Sequence, residues 1–241
     1  DYLNMVSPII MIMKNQFVIE MQNVTKIYRM DSVSVVGVEN INLKIKKGEF
    51  VCVMGPSGSG KSTMLHLMGC LDKPTYGKVL IDGVDASRMS NDELADLRKY
   101  KIGFVFQFFN LYPTLTALEN VELPMIIAEK DKEFRKKRAL ELLKMVEMEE
   151  FKDHLPSQLS GGQRQKIAIA RALANDPPII LADEPTGNLD SKSGEEVMKI
   201  FTELNKKGKT IVVVTHNENL AKFAERIIRL KDGKIIKDER K

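Results

Sequence analysis

Gly55, Pro56, Ser57, Gly58, Ser59, Gly60, Lys61, Ser62 and Thr63 follow one another with the types and spacing of a phosphate cradle. Backbone N–H groups in such a loop must approach phosphate oxygens closely, and Gly55, Gly58 and Gly60 keep side chains out of that path. Lys61 is placed to reach the β- and γ-phosphates, and the Ser62 hydroxyl to ligate Mg²⁺. A second constellation, Asp183–Glu184, ends the apolar run Ile179–Ile180–Leu181–Ala182 and so stands at the exit of a buried strand. Ligands of open α/β sheets bind at such strand ends. There Asp183 can hold Mg²⁺ through its water shell. Glu184 can polarise an attacking water, a general-base role worth about 10²–10⁴ in rate. Cradle, metal, base and positioned water are the parts that phosphoryl transfer from ATP to water requires.

Leu159–Ser160–Gly161–Gly162–Gln163 opens a helix that continues through Arg164 to Arg171. A serine and paired glycines at a helix N-terminus suit another phosphate. One chain binding one ATP has no use for two such sites, whereas two chains arranged head to tail would use both. Tyr28 lies in a strand-like segment ahead of the cradle, and His216 follows a buried run. Taken singly, each fits a packing role; beside a nucleotide, the tyrosine ring could also stack on adenine.

These residues need elements to position them. Phe17–Met21 and Ile41–Ile45 alternate apolar and polar residues, the pattern of half-buried strands. The apolar run Phe50–Met54 feeds the cradle, and Met64–Met68 continues from it as a helix. Lys78–Gly83 reads as a short strand, Ser90–Asn91–Asp92–Glu93 as a helix cap and acidic first turn, and Ile102–Phe106 as a buried strand ending at Gln107. From about Thr116 to Ala174 the pattern is helical, with Leu140, Leu143 and Val146 on one face. The basic cluster Lys132, Arg135, Lys136, Lys137 and Arg138 reads as a solvated face, with contact to acidic lipid or a partner as the alternative. A helix over Lys192–Lys207, a buried strand over Thr210–Val214, a helix over Asn217–Arg226 and a hairpin turn at Lys231–Asp232–Gly233 complete the chain.

The expected architecture is α/β: a P-loop NTPase core over 17–106 and 176–241, with an antiparallel β edge region. A helical subdomain is inserted over 107–175. Residues 1–16 are expected to form an unstructured extension, since the chain opens with Asp1 and Met13 would make a natural start of the folded part.

A hydrophobic content of 43% and a charged content of 29% place the chain among ordinary globular proteins and against a disordered one. Its 241 residues can bury roughly 70% of the surface that the unfolded chain exposes. A net charge of +4 fits anionic lipid headgroups or nucleic acid and identifies neither. Cys52 and Cys70 form no C-x-x-C pair, so no disulfide framework is expected and a reducing cytoplasm is. No apolar run approaches the roughly 20 residues of a membrane helix. Pro8–Met13 is too short, and no basic residue precedes it as in a signal peptide.

Gly55–Thr63, Gln107, Leu159–Gln163, Ile179–Glu184, Leu189–Asp190 and His216 occur in the order found in ABC transporter ATPase subunits, which the chain resembles from about Phe17 to Lys237. Leu-Ser-Gly-Gly-Gln is the specific part of the resemblance, because the cradle alone marks many NTPases. Gln107–Phe108–Phe109–Asn110–Leu111, Leu118–Glu119–Asn120–Val121–Glu122–Leu123–Pro124 and Asp183–Asp190 look like the lipoprotein-releasing and macrolide-exporter subfamily. The resemblance implies a Mg²⁺-dependent ATPase acting as a head-to-tail homodimer that drives a separate integral-membrane permease. The chain would then be cytoplasmic, peripheral on the inner face of the cell membrane, with no nucleic-acid partner. It implies that Tyr28 stacks on adenine, that Gln107 ligates Mg²⁺ and couples the site to the helical subdomain, and that Asp190 lies at the dimer interface. Ser160 and Gly162, with Gly161 and Gln163 beside them, would face the opposite subunit's γ-phosphate, and His216 would contact the γ-phosphate and orient the water. Two alternatives share these motifs: a cell-division-type ABC ATPase driving a mechanical regulator, and a soluble ABC ATPase acting on DNA or ribosomes.

Overall fold

The computed structural model describes residues 16–30 and 33–241, so all but Gln16 of the expected extension over 1–16 lies outside the described residues. The chain begins with a long antiparallel ribbon, β1 (Phe17–Met30) and β2 (Val33–Lys46). The alternating segments read from sequence are its inner halves. Next come β3 (Phe50–Met54), α1 (Lys61–Met68), and the short strands β4 (Tyr76–Ile81) and β5 (Val84–Asp85). α2 (Asn91–Lys101) leads into β6 (Ile102–Val105). Three helices follow, α3 (Ala117–Ile127), α4 (Lys132–Met145) and α5 (Gly161–Ala172). β7 (Ile179–Asp183), α6 (Ser191–Lys206), β8 (Thr210–Thr215) and the hairpin β9 (Arg226–Lys231) and β10 (Lys234–Arg240) complete it.

The strands sort into two sheets, one antiparallel with order β2-β1-β4-β5 and one of six strands with order β10-β9-β3-β8-β7-β6. In the larger sheet β3, β8, β7 and β6 run parallel, as does β9 beside β3. β3 and β8 are buried throughout, which is why they read as unbroken apolar runs. Their side chains still alternate. Val51 and Val53 join Met64, Leu65, Leu67 and Met68 of α1 and the inner face of the antiparallel sheet. Phe50, Cys52 and Met54 point the other way, into a core filled by α3, α4, α5 and α6 through Val121, Leu143, Ile167, Ile169 and Phe201. Cys52 and Cys70 are free and buried, and burial pushes both thiols up to about 12.

Two expectations are corrected. The segment Asn217–Arg226 is no α-helix: a single 3-10 stretch covers Glu218–Phe223. Glu225 N–H then donates to Phe50 O at 3.0 Å, which draws the chain into β9 beside β3 and leaves no room for a longer helix. In α4 the buried stripe is Ala139, Leu142 and Leu143, and Leu140 is half-buried at its margin.

Asn120, fully buried in α3, organises the loop that leads into that helix. Its Nδ2 donates to Tyr112 O (3.1 Å), Leu115 O (2.9 Å) and Thr116 O (3.0 Å), and its Oδ1 accepts from Tyr112 N–H at 2.8 Å. Asn120→Ala removes these partly buried bonds from the loop and is expected to cost about 1–3 kcal/mol. Urea unfolding followed by circular dichroism checks it: the midpoint should fall while the denaturant slope stays unchanged.

Candidate nucleotide and metal site

Four neighbouring parallel strands, in the order β3, β8, β7, β6, bring their carboxyl ends to one edge of the sheet. The loop Gly55–Gly60 leaves β3, His216 follows β8, Asp183–Glu184 ends β7, and Gln107 stands two residues past β6. Residues far apart in sequence thus meet because the sheet order, and not the chain order, decides which loops adjoin. Gln107, Glu184 and His216 line a cleft of about 760 Å³ together with Tyr28, Val35, Val36, Pro56, Ser57, Gly58, Gly60, Lys61, Ser62 and Thr63, and Asp183 adjoins it through Ser62.

The cradle is built for an anion. α2, α3, α4, α5 and α6 each begin with a side chain that accepts from the backbone of the first turn, from Ser90, Thr116, Asp131, Ser160 and Asp190 respectively. α1 begins at Gly60 with no side-chain cap. Its first-turn N–H groups and the positive end of its dipole therefore face the loop. Gly60 is left-handed (φ 97°), and a side chain there would run into Gly37 O. Lys61 Nζ donates to Gly55 O (2.8 Å) and Pro56 O (2.9 Å), so the ammonium lies within the loop. Ser59 Oγ is buried with no hydrogen-bond partner. An uncapped helix end, an ammonium and an orphaned hydroxyl fit a polyphosphate.

Beside the cradle, Ser62 Oγ donates to Asp183 Oδ1 at 3.3 Å, joining two of the three expected metal ligands. Burial raises the Asp183 carboxyl above its ordinary 3.8, and the Ser62 bond only partly opposes this. Among the described residues no group of three or more His, Cys, Asp or Glu forms a metal cage. Mg²⁺ needs no such cage, since it is commonly held by one or two protein oxygens plus the substrate's phosphates. The residues fit.

Glu184 is held from several sides. Its Oε2 accepts from Thr215 Oγ1 (2.9 Å), and its Oε1 accepts from His216 N–H (3.1 Å) and lies 2.7 Å from His216 Nδ1. Its backbone is left-handed (φ 43°), a region that non-glycine residues seldom enter. Backbone bonds fix it there: Glu184 N–H donates to Val214 O at 2.9 Å, and Glu184 O accepts from Gly187 N–H at 3.0 Å. Gln107 packs its carboxamide against Gly187, and Asn188 Nδ2 donates to Gln107 O at 3.0 Å.

Ser160, Gly161, Gly162 and Gln163 stand apart from this cleft. Ser160 Oγ accepts from Gln163 N–H (3.2 Å) while Gln163 Oε1 accepts from Ser160 N–H (2.8 Å), so within one chain they cap their own helix. Asp190 likewise caps α6 and bonds Ser193. Tyr28 reaches the cradle: its hydroxyl donates to Thr63 Oγ1 at 3.5 Å and Lys26 Nζ lies 5.1 Å from its ring centroid. Three contributors escape sequence reading. Val35, opposite Tyr28 in the ribbon, and Val36 are about half exposed on the cleft, and Thr215 orients Glu184. Their signal is weak: exposed valines and a strand threonine are common on any sheet.

A raised carboxyl opposes folding where it is ionised. Its pKa in the folded state lies above that in the unfolded chain, so the penalty is present at neutral pH and is relieved as pH falls through the raised value. Asp183→Asn is therefore expected to raise the Tm of the nucleotide- and metal-free protein at neutral pH. That advantage should shrink as pH approaches the ordinary 3.8. Thermal scans across pH measure it.

The ABC transporter family model matches residues 38–187. The chain is 60% identical over 227 residues to an ABC transporter ATP-binding protein, MJ0796, of Methanocaldococcus jannaschii, covering 92% of this chain and 97% of that one. It is 49% identical over 223 residues to the macrolide export ATP-binding/permease protein MacB of Chlorobaculum tepidum, covering 92% of this chain and 34% of that longer protein. It superimposes on the dimeric, post-hydrolysis structure of MJ0796 bound to ADP and Pi with a TM-score of 0.86 at 58% identity, covering 92% and 98% of the two chains. Cleft, sheet order and relatives agree: the chain belongs to the ABC transporter family, as an ATP-binding, ATP-hydrolysing cassette.

Proposed function

We propose that this cassette works as a head-to-tail homodimer that powers a separate membrane permease of macrolide-export or lipoprotein-release type, from the inner face of the cell membrane. One observation carries the dimer geometry: Ser160–Gln163 does not line the cleft of its own chain. A partner's cleft gives the segment its use. No helix among the described residues is long and apolar enough to cross a membrane, so the span is assigned to the permease. The kinship with MacB, whose name joins an ATP-binding part and a permease, supports an exporter. We assign 17–106 and 176–241 to the α/β core, 107–175 to the helical subdomain that meets the permease, and 1–16 to an extension.

Within each half-site Tyr28 stacks on adenine, and the backbone of Gly55–Gly60 and the α1 N-terminus hold the phosphates. Lys61 neutralises the β- and γ-phosphate charge. Ser62, Gln107 and Asp183 hold Mg²⁺, which supplies positive charge at the phosphoryl oxygens. Glu184 accepts the proton of the attacking water, and His216, 2.7 Å from its carboxylate, orients it and contacts the γ-phosphate. The partner's signature residues, the counterparts of Ser160, Gly161, Gly162 and Gln163, close the site, and Asp190 lies at the interface.

Glu184→Gln keeps the size of the side chain and one accepting oxygen, and removes the base. Its turnover is expected to fall by about 10²–10⁴ with ATP binding retained. Gel filtration with saturating MgATP should then show a stable dimer. A monomer under those conditions overturns the sandwich.

A further inference from the structure

Gln165 lies in α5, two residues past the Ser160–Gln163 capping box, and its side chain is fully buried. Its Nε2 donates to Pro185 O at 2.7 Å and to Phe106 O at 3.3 Å. Pro185 directly follows Glu184, and Phe106 directly precedes Gln107. A single amide group therefore holds together the residue after the base and the residue before the metal ligand. Both acceptors are carbonyls, which fixes which end of the carboxamide points at them. The other end, Oε1, is buried without a partner. The amide thus leaves one acceptor unmet in order to hold two backbone carbonyls from separate loops, which an apolar side chain of similar size would leave without this donor. The same helix also grips the loop beyond Gln107: the Arg164 guanidinium lies 4.9 Å from the Phe109 ring centroid, and Arg171 Nη2 donates to Phe109 O at 2.8 Å.

We propose that Gln165 is a positioning residue for hydrolysis, setting the Glu184 loop and the Gln107 loop relative to each other and tying both to the helix that starts with Ser160–Gln163. This rests on the roles given above to Glu184, Gln107 and the signature segment. In the head-to-tail dimer, the signature of one protomer touches the nucleotide held by its partner. A displacement of α5 on that contact passes through the Gln165 amide to the protomer's own base and metal ligand. Each ATP site then senses whether the other is closed, and the two turn over together.

Two variants of the full chain test this, Gln165→Leu and Gln165→Glu. Gln165→Leu is expected to lower kcat about tenfold or more while KM for ATP stays within about twofold, with the Hill coefficient of hydrolysis falling toward 1. In the nucleotide-free protein, amide hydrogen exchange should quicken about tenfold at residues 107–110 and 186–188 and stay unchanged in the sheet. Gln165→Glu turns a carboxylate toward two carbonyl oxygens. It should be slow near about pH 8 and recover severalfold relative to wild type near about pH 6, as the buried carboxyl takes up a proton and donates again. That recovery keeps the test decisive should Gln165→Leu fail to fold. Wild-type kcat in Gln165→Leu, or loss of rate in both variants with unchanged exchange and no recovery in acid, overturns the proposal. Glu184→Gln run alongside separates the failures. Normal hydrolysis by it would sink the assignment of the base; an inactive Glu184→Gln beside a fully active Gln165→Leu would sink the positioning role alone.

Discussion

An α-helix leaves its first N–H groups without partners, and a folded chain must satisfy them. In this protein five helices do so with their own serine, threonine or aspartate, and α1 does not. That omission governs the remaining design. Free N–H groups aimed at a cleft are useful only if the cleft is fixed, and β3 fixes it by lying inside the six-stranded sheet with β8 and β9 on either side. Parallel pairing then delivers every other group to the same edge. Were β8 or β7 antiparallel, His216 or Asp183–Glu184 would leave the sheet at the far end.

The cleft is assembled against local preference. Glu184 occupies a backbone region that costs of order 1–3 kcal/mol for a residue with a side chain. Asp183 keeps its carboxylate where burial disfavours charge. Both features persist because the surroundings over-determine them, through the Val214 and Gly187 backbone bonds for one and the Ser62 hydroxyl for the other. A bound cation and polyphosphate would complement both, and stability conceded in the free protein becomes affinity and order in the loaded one. The signature segment shows the converse economy. In the single chain Ser160 and Gln163 satisfy each other, so no buried polar group waits for the partner.

Much of this was legible because phosphate chemistry is local. Gly55–Thr63 is one contiguous loop, and Asp183–Glu184 and Gln107 each sit at the end of a readable apolar run. What sequence could not supply was adjacency across the sheet. Thr215 becomes a partner of Glu184 only because β8 lies beside β7, and Gln165 matters only because α5 packs over the ends of β6 and β7. In a helix read by periodicity, a buried glutamine looks like an interruption of the apolar face. The segment after His216 misled for a related reason: its composition permits a helix, and the claim of β3 on Glu225 N–H forbids a long one.

The two cysteines flank the cradle, Cys52 inside the strand that enters it and Cys70 just past the helix that leaves it. Thiolates and not thiols react with alkylating and disulfide reagents. With both groups buried and shifted to about 12, the native protein presents almost no reactive sulfur at neutral pH. Any labelling must therefore await a transient opening of the core around each sulfur. Since these are the two cysteines of the sequence, their labelling reports separately on the two cores that sandwich the sheet, one beneath the strand that enters the loop and one beyond the helix that leaves it.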